Sequence, residues 1–147
     1  MRRFILLAMV AGMALTTLAR PAMAATKTPF TALIVFDTFG DPERQWYSDG
    51  LLHIRGQLIS GTVTGDLEGT ISNVVNLNVH EDGTNEQWST FVITTLGVTY
   101  EGTSRSGNGS TGTFQAQGSD GTSLSQGTYI NDENGTHIEG IILDPRG

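Results

Sequence analysis

Residues 110–143 read STGTFQAQGSDGTSLSQGTYINDENGTHIEGIIL, and this stretch decides the fold. Apolar and aromatic positions alternate with polar ones at a period of two, the repeat of a half-buried strand. The pairs Asp120-Gly121 and Asn134-Gly135 interrupt the alternation where tight hairpin turns need residues that tolerate positive φ. A two-residue turn fixes the register of its strands. An Asp120-Gly121 turn sets Phe114 opposite Gly127, Gly112 opposite Tyr129, Thr113 opposite Thr128 and Gln115 opposite Gln126. One face is then aromatic against glycine, and the other polar against polar. Carried through Asn134-Gly135, the count puts Tyr129 opposite Gly140, Gly127 opposite Ile142, Ile130 opposite Glu139 and Asp132 opposite His137. Glycine beside a ring leaves room for it in a tightly curved sheet.

Working outward, Asp49-Gly50, Asp82-Gly83 and Asn108-Gly109 punctuate the preceding chain in the same way. The predicted strands are 31–37, 51–60, 62–71, 73–80, 85–95, 97–104, 111–118, 123–131 and 136–143. The alternation places Tyr100 and Gly102 inside with Glu101 outside, Leu67 and Gly69 inside with Glu68 outside, and Ile54 and Gly56 inside with His53 and Arg55 outside. Around 73–79 and 86–93 both faces carry apolar residues, which predicts a bulge that shifts the parity. About eight strands joined in sequence order predict an all-β, up-and-down antiparallel barrel, since closure removes exposed edges; a β-sandwich is the alternative. Gly-Thr occurs eight times and Glu-Gly begins at 68, 101 and 139, which reads as repetition at the level of strands.

Arg2 and Arg3, the apolar run Phe4–Leu15 and the sequence Ala22-Met23-Ala24 have the layout of a cleavable secretory signal. The apolar run is shorter than the roughly 20 residues of a membrane span. Residues 1–24 are therefore expected to be a signal peptide and 25–147 one barrel domain, secreted or periplasmic after cleavage at Ala24. Three of the eight basic residues lie in that leader, leaving five against fifteen acids and a net charge of −10. Such a balance argues against nucleic-acid partners and anionic membranes, which need clustered Lys and Arg. With no cysteine in the chain, no disulfide or thiolate metal site can form.

Little in the sequence points to catalysis. His53, His80 and His137 lack ligand spacing and fall on the exterior, so no metal or other cofactor is expected. No Gly-x-Ser-x-Gly elbow is present. Glu68, Glu101 and Glu139 would form an interior carboxylate set only with the parity inverted, which would also expose Phe114 and Tyr129. The acidic run 131–135 reads as a hairpin end rather than a calcium loop. Thr38–Asp49 is the longest candidate loop, and its Trp46 and Tyr47 are placed to cap one barrel mouth. The candidate ligand-binding set, interior and mouth together, is Tyr100, Phe114, Tyr129, Ile142, Trp46 and Tyr47.

Within the opening stretch, Gly112-Thr113-Phe114-Gln115-Ala116-Gln117-Gly118 resembles the Gly-x-Phe-x-x-Ala-x-Gly strand of the allene oxide cyclase and dirigent families, with one residue fewer between Phe114 and Ala116. The resemblance implies an eight-stranded barrel around a largely apolar cavity. One of those families steers the coupling of phenol radicals and the other cyclises a lipid epoxide; their catalytic acids match no numbered position of this chain. Three functions stay open: a non-catalytic barrel that binds a small apolar molecule or is structural, a cyclase or isomerase, and a protein-interaction module using the acidic exterior.

Overall fold

Val, Ile, Thr and aromatic residues dominate the segments between glycine-bearing turns, and β-branched and aromatic side chains pack well on a pleated surface. The computed structural model of the protein describes residues 24–147, and within them all regular structure is β. The signal-peptide reading covers residues 1–24, of which 1–23 lie outside the described residues. Nine strands follow in order: β1 (Thr26–Phe39), β2 (Arg44–Ser48), β3 (Leu51–Gly65), β4 (Gly69–Val79), β5 (Asn85–Thr95), β6 (Thr99–Ser106), β7 (Thr111–Gly118), β8 (Ser123–Asp132) and β9 (Gly135–Asp144). From β3 to β9 each strand pairs antiparallel with the next, and β1 closes the circle by pairing with both β9 and β3. The result is a closed eight-stranded antiparallel barrel with β2 as an additional strand on β3. No helix of the described residues is long and apolar enough to cross a membrane.

The register around Phe114 is the predicted one, with Phe114 opposite Gly127, Gly112 opposite Tyr129 and Thr113 opposite Thr128. It arises in two compensating steps. The loop between β7 and β8 is one residue longer than a two-residue turn, with Gly118 N–H donating to the Thr122 carbonyl at 2.7 Å and Gly121 at φ +88°. A bulge at Gln126, φ +50°, then restores the count, so Gln115 does not face Gln126. The last hairpin differs: Asp132 pairs with Gly135, leaving Glu133-Asn134 as the turn. This slides β9 by two residues, so Tyr129 faces Ile138 and Ile130 faces His137, while Gly140 faces Phe30. A slip of two preserves which side chains point inward.

Three other expectations are corrected. The predicted strands 51–60 and 62–71 are one long β3 followed by the β3–β4 hairpin, because Gly61 does not end a strand but lets β1 pass close over it. Residues Thr38–Asp49 are not a loop: β1 runs to Phe39, and Arg44–Ser48 pairs with Leu51–Arg55 through an Asp49-Gly50 turn. β4 and β5 pair continuously from Gly69–Thr95 to Val79–Asn85, and the bulge expected there lies instead on β3, where Arg55 and Gly56 stand against Asn76 between the Ile54–Leu77 and Gln57–Val75 pairs. Both faces of those strands carry apolar residues because Val74, Val92 and Trp88 point outward while Asn73 and Ser89 point inward.

One end of the interior is solid. Phe30 and Phe91 both meet Phe114 edge to face, at 6.3 and 6.2 Å between centroids, and Val63, Ile93 and Leu124 are almost fully buried around them. Two of the glycines predicted to lie beside rings do so: a Cβ on Gly112 would overlap the Tyr129 ring, and one on Gly127 would come within 2.6 Å of Phe114, whereas Gly140 lies against Phe30 and not Tyr129. Side chains of this size fit a small barrel because alternate inward positions are empty.

Candidate functional site

At the other end, where β1 has left the edge of β3, the filling stops. A cavity of about 270 Å³ opens there, floored by Phe91 and Phe114 and walled by Phe36, Ile59, Val75, Leu77 and Ile138. No Asp, Glu, Lys, Arg or His side chain lines it. An ionised guest would find no counter-charge in this apolar enclosure, where burying an unpaired charge is costly.

The polar groups of the cavity form two sets. Those at the rim are engaged with the frame: Gln57 Nε2 donates to the Gly40 carbonyl at 3.0 Å, Gln87 Nε2 to Asn85 Oδ1 at 2.8 Å, and Asn131 joins the Gly109 carbonyl to the Thr136 hydroxyl. Those deeper in are not fully used. Ser89 and Ser104 face each other across β5 and β6 with their hydroxyls 2.5 Å apart, sharing one hydrogen bond. The Tyr129 hydroxyl lies within reach of the Ser104 and Ser106 hydroxyls. Burial pushes the Tyr129 phenol above its ordinary range, only partly opposed by those serines. It is thus a neutral hydrogen-bonding group at physiological pH.

Asn73 is the exception to the rule that buried polar atoms are paired. Its Oδ1 is shut off from solvent and has no hydrogen-bond partner. Its neighbour across the sheet is Phe91, which offers none. An unsatisfied buried acceptor costs about 1–3 kcal/mol, and the residue that bears it lines the cavity.

Of the six residues predicted from sequence, Phe114 and Tyr129 line this cavity. Tyr100 is buried at the solid end, where its hydroxyl lies 3.4 Å from that of Thr122. Ile142 packs against the core opposite Leu124. Trp46 lies on the outer face of β2, stacked on His53, and Tyr47 is exposed on the same strand. Asn73 and Ser89 escaped the sequence reading because a bulge was expected to shift the parity of β4 and β5 there, and Ser104 although the alternation that puts Tyr100 and Gly102 inside extends to it. A polar residue at an inward position of an otherwise apolar strand was the available signal.

Among the described residues no group of three or more His, Asp or Glu side chains could hold a metal ion. The run 131–135 is a hairpin end, in which Asp132 accepts from the Asn134 N–H at 2.8 Å and pairs with His137 at 2.8 Å. No protein-family model, no curated protein and no solved structure matches this chain.

Proposed function

We propose that the protein is an exported barrel that binds a small, uncharged molecule, apolar over most of its surface and bearing a hydroxyl or carbonyl group. The unpartnered Oδ1 of Asn73, a residue of the cavity wall, carries this reading. A structural barrel has no need of a buried polar atom without a partner, whereas a guest toward which the Asn73 amide turns can donate to Oδ1 and remove the penalty. The Ser89–Ser104 pair and Tyr129 add neutral donors and acceptors, and the apolar walls supply most of the contact area. About 270 Å³ lies just below the common range of ligand sites, roughly 300–1,000 Å³, and suits a molecule of one ring or two. The secretory layout of residues 1–24 supports action outside the cytoplasm.

A second reading is a cyclase or isomerase, in keeping with the allene oxide cyclase and dirigent resemblance. The neutral Tyr129 hydroxyl favours it, as a donor positioned to hold a polarised oxygen while the walls fold the substrate. Such an enzyme would gain rate mainly from proximity and orientation.

Phenol and toluene, nearly equal in shape, test the binding reading by calorimetry. Phenol should bind about tenfold more tightly, one hydrogen bond's difference, and Asn73→Leu should abolish or reverse that preference. Equal affinities in the parent protein, or a preference untouched by Asn73→Leu, would refute the assignment.

A further inference from the structure

Asn-Gly occurs twice in the chain, at Asn108-Gly109 and Asn134-Gly135, and each pair lies at a hairpin connection. An asparagine before glycine is open to attack by its own main chain, because glycine puts no Cβ beside the attacking nitrogen. The reaction needs the asparagine side chain to swing until its Cγ meets the nitrogen of the next residue. Whatever holds that side chain therefore decides whether the reaction runs in the folded protein.

The fold treats the two pairs differently. Between β6 and β7, Asn108 Oδ1 accepts from the N–H groups of Ser110 and Thr111 at 2.8 and 2.9 Å, and Asn108 Nδ2 donates to Thr111 Oγ1 at 3.1 Å. The attacking group is held as well, since the Gly109 N–H donates to the hydroxyl of buried Ser106 at 2.8 Å. Between β8 and β9, Asn134 is exposed, and its carboxamide makes no hydrogen bond with any described residue. The bond that orders this turn runs from the Asn134 main-chain N–H to Asp132 Oδ1 at 2.8 Å and leaves the side chain to rotate. Gly135 pairs with Asp132 at the very end of the ladder, where strand pairs open most readily.

We infer that Asn134 is a site of self-modification, at which the folded protein converts its own asparagine to isoaspartate and aspartate. The Gly135 nitrogen gives up its proton and bonds to Asn134 Cγ. The Cγ–Nδ2 bond breaks and ammonia leaves with that proton, closing a succinimide ring. Water then opens the ring: at the main-chain carbonyl it leaves isoaspartate, at the side-chain carbonyl aspartate. Water is the only reactant from outside the chain. Either product puts a new carboxylate beside Asp132 and Glu133, and isoaspartate adds a carbon to the main chain of the turn. Asn131 and Thr136, whose side chains bond at 2.7 Å across the base of that turn, line the cavity, so the change falls at the cavity rim.

Peptide mapping by mass spectrometry tests this on the purified, folded protein held at mildly alkaline pH. With time, the peptide holding Asn134 should gain the mass difference between a hydroxyl and an amino group. The peptide holding Asn108 should do so at least about tenfold more slowly, the worth of one hydrogen bond that must first be broken. Isomerisation at Asp49-Gly50 leaves the mass unchanged and is told apart in the same experiment. In denaturant, where no fold holds Asn108, the two rates should converge. The proposal is overturned by an unchanged Asn134 in the folded protein, by equal rates at the two sites in the folded state, or by a difference between them that persists in denaturant.

Discussion

Asn73 sets function against stability at one position. Leucine has nearly the same shape and no polar atom to leave unsatisfied, so Asn73→Leu should raise the stability of the unliganded protein by about 1 kcal/mol in denaturant melts. A loss of stability would mean that Asn73 is a structural residue. At Gly112 an added side chain meets both the Arg105 carbonyl and the Tyr129 ring, while at Gly140 the nearest atoms stand at 3.0–3.1 Å. Gly112→Val should therefore cost about 3 kcal/mol and Gly140→Val about 1, with Thr113→Val and Thr128→Val on the outer face close to neutral. Tyr129 gives an alkaline signature. Its phenol is raised above 10.0 in the folded state, so the folded form keeps a proton that the unfolded form loses. Stability is unaffected by this group below about pH 10 and falls as the pH rises from there toward the raised value. Tyr129→Phe should remove that part of the alkaline slope. A slope unchanged by the substitution would show that the ring titrates normally.

Among the elements, the hairpins were the most legible in the sequence, because a turn with positive φ has few residue choices. Asp49-Gly50 joins β2 to β3 with both residues at positive φ, as an Asp-Gly pair suggests. The β8–β9 hairpin slipped by two because Glu133-Asn134 occupies the turn and Gly135, also at positive φ, begins β9. Inward parity survived the slip, and so Phe114 and Tyr129 could be placed from sequence alone. β2 was not legible: its apolar residues Trp46 and Tyr47 are adjacent rather than alternating, and Trp46 faces outward, stacked on His53. The histidines, all predicted to be exterior, divide on the same ground. His80 and His137 form exposed pairs with Glu86 and Asp132, and changing either to Gln should shift stability by about half a kcal/mol or less. His53 is half-buried under Trp46 and shares hydrogen bonds with Ser48 and Asn78. His53→Ala should speed amide exchange in β2 selectively while leaving β7–β9 protected. Uniform acceleration across the barrel would contradict this view of β2 as a separately held strand.

At the scale of the whole molecule, closure follows from β1, which reaches both β9 and the far half of β3 and leaves the barrel itself without an open edge. The strand count and the order of β3–β9 foretold a barrel, but the division of its interior into a solid end and an open end depends on where β1 leaves β3, which no local pattern encodes. That division is the central claim, and a phenol titration followed by methyl NMR tests it most directly. Shifts should saturate at Ile59, Val75 and Leu77, which wall the cavity, and stay absent at Val63 and Leu124 in the solid end and at outward-facing Leu58 and Val74. Saturable shifts at Val63 and Leu124, shifts confined to Leu58 and Val74, or none at all would contradict it.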